Sequence, residues 1–244
     1  MTDTTKWAVE LKDVKKTYRT GPIEVPALRG VGFRVAPGEF LAIAGPSGSG
    51  KTTLLNIIGG LDRADAGEVL LEGKNLQLLS PGELARLRLQ RLGFVFQAYN
   101  LLPVLTALEN AEFTLLLQGV PAEQRKERVK KLFAEIGLAG LEHRRPGELS
   151  GGQQQRVAVA RAMVTEPALI LADEPTANLD SATATALLEV MGQLNRTHGT
   201  TFVYATHDSQ VMERARRLIR LHDGQIASDV ARAGQTPEPW PESP

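Results

Sequence analysis

Cysteine is missing from this chain altogether, which excludes disulfides and thiolate metal sites and fits a reducing compartment. Also missing is any apolar run near the roughly 20 residues that a membrane-spanning helix needs, so a role at a membrane would require another chain to supply the span. Excess charge of either sign is absent too, since 28 Lys and Arg balance 28 Asp and Glu. That even, dispersed charge gives a nucleic-acid backbone no purchase and argues against nucleic acid as a partner. The densest basic stretch, residues 125–131, reads as the solvated face of an amphipathic helix. The opening residues 1–6 lack the basic and apolar regions of a secretory signal. No internal repeat is evident. What is present is 244 residues with 42% hydrophobic composition, enough for one substantial core.

The most informative stretch is Gly45-Pro46-Ser47-Gly48-Ser49-Gly50-Lys51-Thr52, which fits G-x-x-x-x-G-K-[ST], a loop that wraps backbone N–H groups around phosphates. Glycine lets the backbone approach a phosphate closely, and the converging N–H groups make an anion nest. Lys51 can reach the β- and γ-phosphates, and the Thr52 hydroxyl can ligate Mg²⁺. Residues 39–44 before the loop read as a buried strand, and residues 53–58 after it continue as a helix whose N-terminus faces the phosphates.

Strands are expected near residues 8–14, 31–35, 39–44 and 67–71, a β-rich beginning. From residue 81 to about 147 the pattern turns helical, with 106–118 and 121–136 clearest and a short strand at 93–96. Alternation then resumes: helix 153–164, strand 168–172, helix 181–195, strand 201–205, and a strand pair around an Asp223-Gly224 turn. This order predicts an α/β core with a mainly parallel sheet. The Pro-rich, acidic residues 231–244 are expected to be a disordered tail.

Two further segments carry chemistry. Leu169-Ile170-Leu171-Ala172-Asp173-Glu174 is an apolar strand ending in two carboxylates, at the strand end where open α/β sheets bind ligands. Asp173 suits Mg²⁺ and Glu174 suits the polarisation of an attacking water, although an acidic turn before Pro175 would read the same way. Leu149-Ser150-Gly151-Gly152-Gln153 precedes a long helical run. It is either a second anion site or an ordinary serine-capped helix start.

Together these segments resemble the ATP-binding-cassette ATPases, from about Val9 to Ile226. Residues 149–153 resemble that family's signature sequence, Gln97 its Q-loop glutamine, Asn178-Leu179-Asp180 its D-loop and His207 its switch histidine; Tyr18 sits where the family stacks an aromatic ring on adenine. The resemblance implies a P-loop NTPase core in residues 1–230, with an N-terminal antiparallel β subdomain and an inserted α-helical subdomain at about 98–165. It implies ATP and Mg²⁺ as cofactors. Tyr18, Gly45, Pro46, Ser47, Gly48, Ser49, Gly50, Lys51, Thr52 and Thr53 would bind nucleotide, as would Ser150, Gly151, Gly152 and Gln153. Thr52, Gln97 and Asp173 would hold the metal, and Glu174, His207 and Gln97 would serve catalysis.

In this family two chains pack head to tail, each ATP lying between one phosphate loop and the other chain's signature segment. One set of motifs therefore implies a homodimer. Residues 54–62, 93–97 and 100–110 resemble the subgroup serving lipoprotein release, macrolide or peptide efflux, and a cell-division complex. The implied partner is an integral inner-membrane protein whose cytoplasmic coupling helix docks near Leu101 and Leu102. That would place this chain on the cytoplasmic face of the membrane. A regulatory ATPase that transmits a signal without moving cargo is the alternative within the same resemblance.

Overall fold

Val9, Leu11 and Val14 alternate with charged residues, and this pattern builds the first sheet. The computed structural model describes Trp7–Ala231; residues 1–6 and 232–244 lie outside the described residues, and Ala231, where the tail is expected to begin, still belongs to a strand. Residues up to Ser80 together with those from Val203 make one compact unit, and Pro81–Phe202 make a second. The first unit begins with β1 (Val9–Thr20), β2 (Ile23–Val35), β3 (Phe40–Ala44), α1 (Lys51–Ile58), β4 (Ala66–Leu71) and β5 (Lys74–Asn75). The second carries α2 (Pro81–Arg91), β6 (Leu92–Val95), α3 (Ala107–Leu117), α4 (Ala122–Glu135), α5 (Gly151–Met163), β7 (Leu169–Asp173) and α6 (Ser181–His198). The chain then returns to the first unit through β8 (Thr201–Thr206), α7 (Ser209–Arg214), β9 (Arg217–His222) and β10 (Gln225–Ala231).

In the first unit the antiparallel sheet runs β2-β1-β4-β5. Its register sets Val9 opposite Val35 and Leu11 opposite Phe33 on one side, and Leu11 opposite Val69 on the other, so the buried side chains share one face. Strand β3 is buried along its whole length. It pairs parallel with β9, which pairs antiparallel with β10 across the Asp223-Gly224 turn. Phe40 and Tyr204 pack with ring centroids 4.6 Å apart. Arg217 starts β9 by donating to Glu39 at 3.1 Å and to the Arg34 carbonyl at 2.7 Å.

In the second unit β6 and β7 are parallel, with Leu92 beside Leu169 and Val95 beside Ala172. Helix α5 lies directly on β6, where a Cβ at Gly93 would come within 2.4 Å of the Ala162 carbonyl oxygen. Thr106 caps α3 in a reciprocal box with Glu109, as S/T-x-x-E predicts. Helix α4 buries Val129, Leu132 and Phe133 and leaves Lys126, Arg128, Lys130 and Lys131 exposed, the amphipathic arrangement expected of that stretch at every basic residue but Arg125. Arg125 pairs with Glu112 of α3 at 3.2 Å, and His198 at the end of α6 meets Glu135 at 2.8 Å.

Candidate functional site

The phosphate loop leaves the buried strand β3 and enters α1 with Gly50 as N-cap in the left-handed region, φ 100°. Gly48 is left-handed too, with φ 79°. Two of the loop glycines are required by close approach. A Cβ at Gly45 would sit 2.2 Å from the Leu221 carbonyl oxygen, and one at Gly50 would sit 2.5 Å from that of Ala27. The footing comes from the β9–β10 turn, where the Gly224 N–H donates to the Ser49 carbonyl at 3.1 Å. The Gly224 carbonyl in turn accepts from the Arg29 N–H at 2.8 Å.

Lys51, only 7% exposed, donates to the carbonyls of Gly45 at 2.8 Å and Pro46 at 3.0 Å. An ammonium has three hydrogens, so one remains for a phosphate oxygen. The Ser49 Oγ is buried without a hydrogen-bond partner among the described residues. Thr52 is exposed in the first turn of α1. Tyr18, on β1, donates its hydroxyl to Asp62 at 2.7 Å and is hydrogen-bonded to the Thr53 hydroxyl. His207 is exposed just past the end of β8.

The second unit gathers the other group of expected residues. Asp173 closes β7, and Glu174 follows with φ 50°, a left-handed conformation that costs a non-glycine residue on the order of 1 kcal/mol. Both carboxylates are half-buried. Gln97 follows β6 with its side chain exposed and its carbonyl accepting from Asn178 Nδ2 at 3.0 Å. Ser150 caps α5: its hydroxyl accepts from the Gln153 N–H at 3.3 Å, and the Gln153 side chain accepts from the Ser150 N–H at 2.9 Å. The serine is thus a cap, and accepting that bond leaves its hydroxyl hydrogen to be donated.

Gly151 lies against Tyr99, where a Cβ would come within 2.8 Å of the phenol oxygen. Asp180 caps α6, accepting from the N–H groups of Ala182 and Thr183 at 3.1 and 3.0 Å.

Several residues that sequence reasoning passed over hold this second group in place. Gln155, fully buried, donates to the carbonyls of Phe96 at 3.3 Å and Pro175 at 2.8 Å. Arg161 donates to the carbonyls of Tyr99 at 2.9 Å and Asn100 at 2.5 Å, while burial works against its charge. With Asn178 on Gln97, side chains from α5 and the segment before α6 thus take the carbonyls of Phe96, Gln97, Tyr99 and Asn100. Asn110, 1% exposed, continues the pattern. It accepts from the Leu102 N–H at 2.7 Å and donates to the carbonyls of Leu102, Leu105 and Thr106 at 3.0, 3.1 and 3.0 Å. That segment carries Leu102 and Val104, which are 42% and 74% exposed.

A glycine loop that offers backbone and lysine to phosphate at a helix N-terminus, in an α/β chain with an acid-tipped strand, defines a P-loop nucleotide-binding protein. The chain belongs to the ABC transporter family, whose model matches residues 28–177. It is an ATP-binding subunit of that family and an ATPase. An ABC transporter ATP-binding protein of Thermotoga maritima is 50% identical over 221 residues, 91% of this chain and 94% of that one. The macrolide export ATP-binding/permease protein MacB of Syntrophobacter fumaroxidans is 46% identical over 94% of this chain, which spans 32% of that protein. A dimeric, post-hydrolysis structure of the ATP-binding cassette MJ0796 with ADP and Pi matches at TM-score 0.85 and 42% identity, covering 93% of this chain and 100% of that one. Among the described residues no helix is long and apolar enough to cross a membrane.

Proposed function

We propose that this chain is the ATP-hydrolysing subunit of a bacterial transporter, closing head to tail with a second copy on ATP and so driving a separate inner-membrane protein of the lipoprotein-release or macrolide-efflux type. Residues 1–230 are one cassette domain in this reading, with a helical subdomain at about 98–165. The observation that carries it is that one chain has two glycine-bearing helix starts, the loop before α1 and the Ser150–Gly152 start of α5. A second copy gives the second start something to hold. The dimeric state of the MJ0796 cassette supports the pairing of two copies.

Lys51 and the loop N–H groups bind the triphosphate and align its γ-phosphorus. Glu174 accepts a proton from the attacking water as the new P–O bond forms and the bond to the β-phosphate oxygen breaks, releasing ADP and phosphate. His207 contacts the γ-phosphate and fixes the line of attack. Thr52, Gln97 and Asp173 offer hydroxyl, amide and carboxylate oxygens, the hard donors that suit Mg²⁺, and the metal when bound would neutralise phosphate charge. Ser150, Gly151, Gly152 and Gln153 address the partner copy's nucleotide. Docked on the membrane protein through Leu101 and Leu102, the chain works at the cytoplasmic face of the inner membrane.

Glu174→Gln tests this reading. Turnover should fall by about two to four orders of magnitude, the worth of general-base help, while ATP still binds, so light scattering on a sizing column should show a dimer only with ATP. Adding Ser150→Arg should abolish that dimer and leave ATP binding by the monomer. Wild-type turnover in Glu174→Gln, or a persistent dimer in the double variant, refutes the assignment.

A further inference from the structure

Strand alternation puts Lys16 and Tyr18 on the same face of β1. The segment after α1 folds back alongside them, anchored by the N–H groups of Leu61 and Asp62 on the Asn56 carbonyl at 2.8 and 3.2 Å. Asp62 uses both its oxygens there. One accepts from Lys16 Nζ at 2.8 Å and from the Arg63 N–H at 2.7 Å, and the other accepts from the Tyr18 hydroxyl at 2.7 Å. Lys16 has a further anchor on the Arg63 carbonyl at 2.8 Å and lies 5.1 Å from the Tyr18 ring centroid, over one face. Its own side chain is 12% exposed, so it is held rather than waving in solvent. Tyr18 remains 39% exposed.

We infer that Lys16 and Asp62 are positioning residues for base recognition: they hold the Tyr18 ring by its hydroxyl and by one face, and leave the opposite face as a fixed platform for a purine. This rests on the reading of Tyr18 as the adenine-stacking residue and adds two residues that no nucleotide motif contains. A tyrosine free to turn would lose rotamer freedom each time a base bound; one already tied down does not. The ammonium over the far face also draws on the ring's π electrons, which favours stacking against an electron-rich base. Burial raises the Asp62 carboxyl, but the bonds from Lys16, Tyr18 and the Arg63 N–H outweigh it and hold it below the usual range, so the clamp is charged at neutral pH. Through Thr53 the same phenol oxygen reaches α1, the helix that begins at Lys51.

The test compares two probes on the full chain, ATP and inorganic tripolyphosphate, which has the phosphates without the base. Tyr18→Ala should weaken ATP about tenfold or more, as lost base stacking does. Tyr18→Phe, Asp62→Ala and Lys16→Met should each weaken ATP by about three- to tenfold, the worth of one hydrogen bond. All should bind tripolyphosphate as the wild type does, and Tyr18→Phe with Asp62→Ala together should do no worse than Asp62→Ala alone. Equal loss of both probes means that Asp62 acts on α1 and not on the ring, which overturns the inference. Wild-type ATP affinity in Tyr18→Phe, Asp62→Ala and Lys16→Met, alongside a weakened Tyr18→Ala, overturns it while sparing the stacking role. Wild-type affinity in Tyr18→Ala removes both. Should Asp62→Ala fail to fold, Tyr18→Phe and Lys16→Met decide the question alone.

Discussion

One added methyl group at Gly152 sets two opposed effects against each other. Alanine in a helix is favoured over glycine by about 1 kcal/mol, yet its Cβ would come within 2.3 Å of Thr183 Cγ2. Thr183 cannot simply swing aside, because its hydroxyl donates to Asp180 at 2.6 Å. Overpacking of this kind costs about 1–3 kcal/mol, so the clash wins. Gly152→Ala should therefore lower Tm in calorimetry, and Gly152→Ala with Thr183→Ser, which deletes the methyl and keeps the hydroxyl, should restore it. An unchanged Tm in the single variant would count against the contact. At this scale the glycine loop with Lys51, the Ser150 cap and the acid pair at the end of β7 were legible, because each is a pattern of residue types. Gln155, Arg161 and Asp62 were not. The first two act on backbone carbonyls, which every residue possesses, and Asp62 acts on a tyrosine 44 positions away, so nothing local marks them.

Helix α6 owes its start to Asp180. The Thr183 hydroxyl and then the Thr183 N–H, joined by the Ala182 N–H, outweigh desolvation and hold this carboxyl below the usual range. A carboxyl with a depressed folded pKa stabilises above its unfolded value, about 3.9, and loses that contribution as pH falls through the folded one. Asparagine caps as well as aspartate but does not titrate. Between about pH 5 and pH 3 the Tm of the wild type should therefore fall more steeply than that of Asp180→Asn, and parallel slopes would mean that the cap's charge contributes nothing. Helices α3, α4 and α5 were legible to within a residue or two at their ends, since capping residues and apolar periodicity agree there. The outer halves of β1 and β2 were not. From Tyr18 round to Pro26 the described side chains of the ribbon are exposed, with Ile23 and Val25 at 63% and 52%, so no inside-outside alternation announces it, and Pro26 further disguises β2. The short helix α7 likewise offers too few turns for a period to show.

For the whole molecule, the reading as a transporter subunit makes the segment after β6 an interface. Arg161 and Asn110 pin its backbone while Leu102 and Val104 face outward, so a charge placed there should leave the cassette intact. Leu102→Asp is expected to keep ATP affinity and folding in the isolated chain and to lose co-purification with its membrane protein; undisturbed assembly would sink the docking role. The support beneath the phosphate loop reaches further, into biosynthesis. Gly45 packs on Leu221, and Ser49 is held by Gly224, so the loop rests on a hairpin that is translated long after it. A ribosome that has made every nucleotide-binding motif has therefore not yet made a nucleotide-binding protein. Nascent chains stalled with Arg217–Ala231 still inside the exit tunnel should pass through ATP-agarose, and chains stalled with that hairpin extruded should be retained. Capture of the shorter chains would show that the loop stands without its footing. ATP cannot then serve as an early folding template, and the chain reaches its substrate only once that hairpin has left the ribosome.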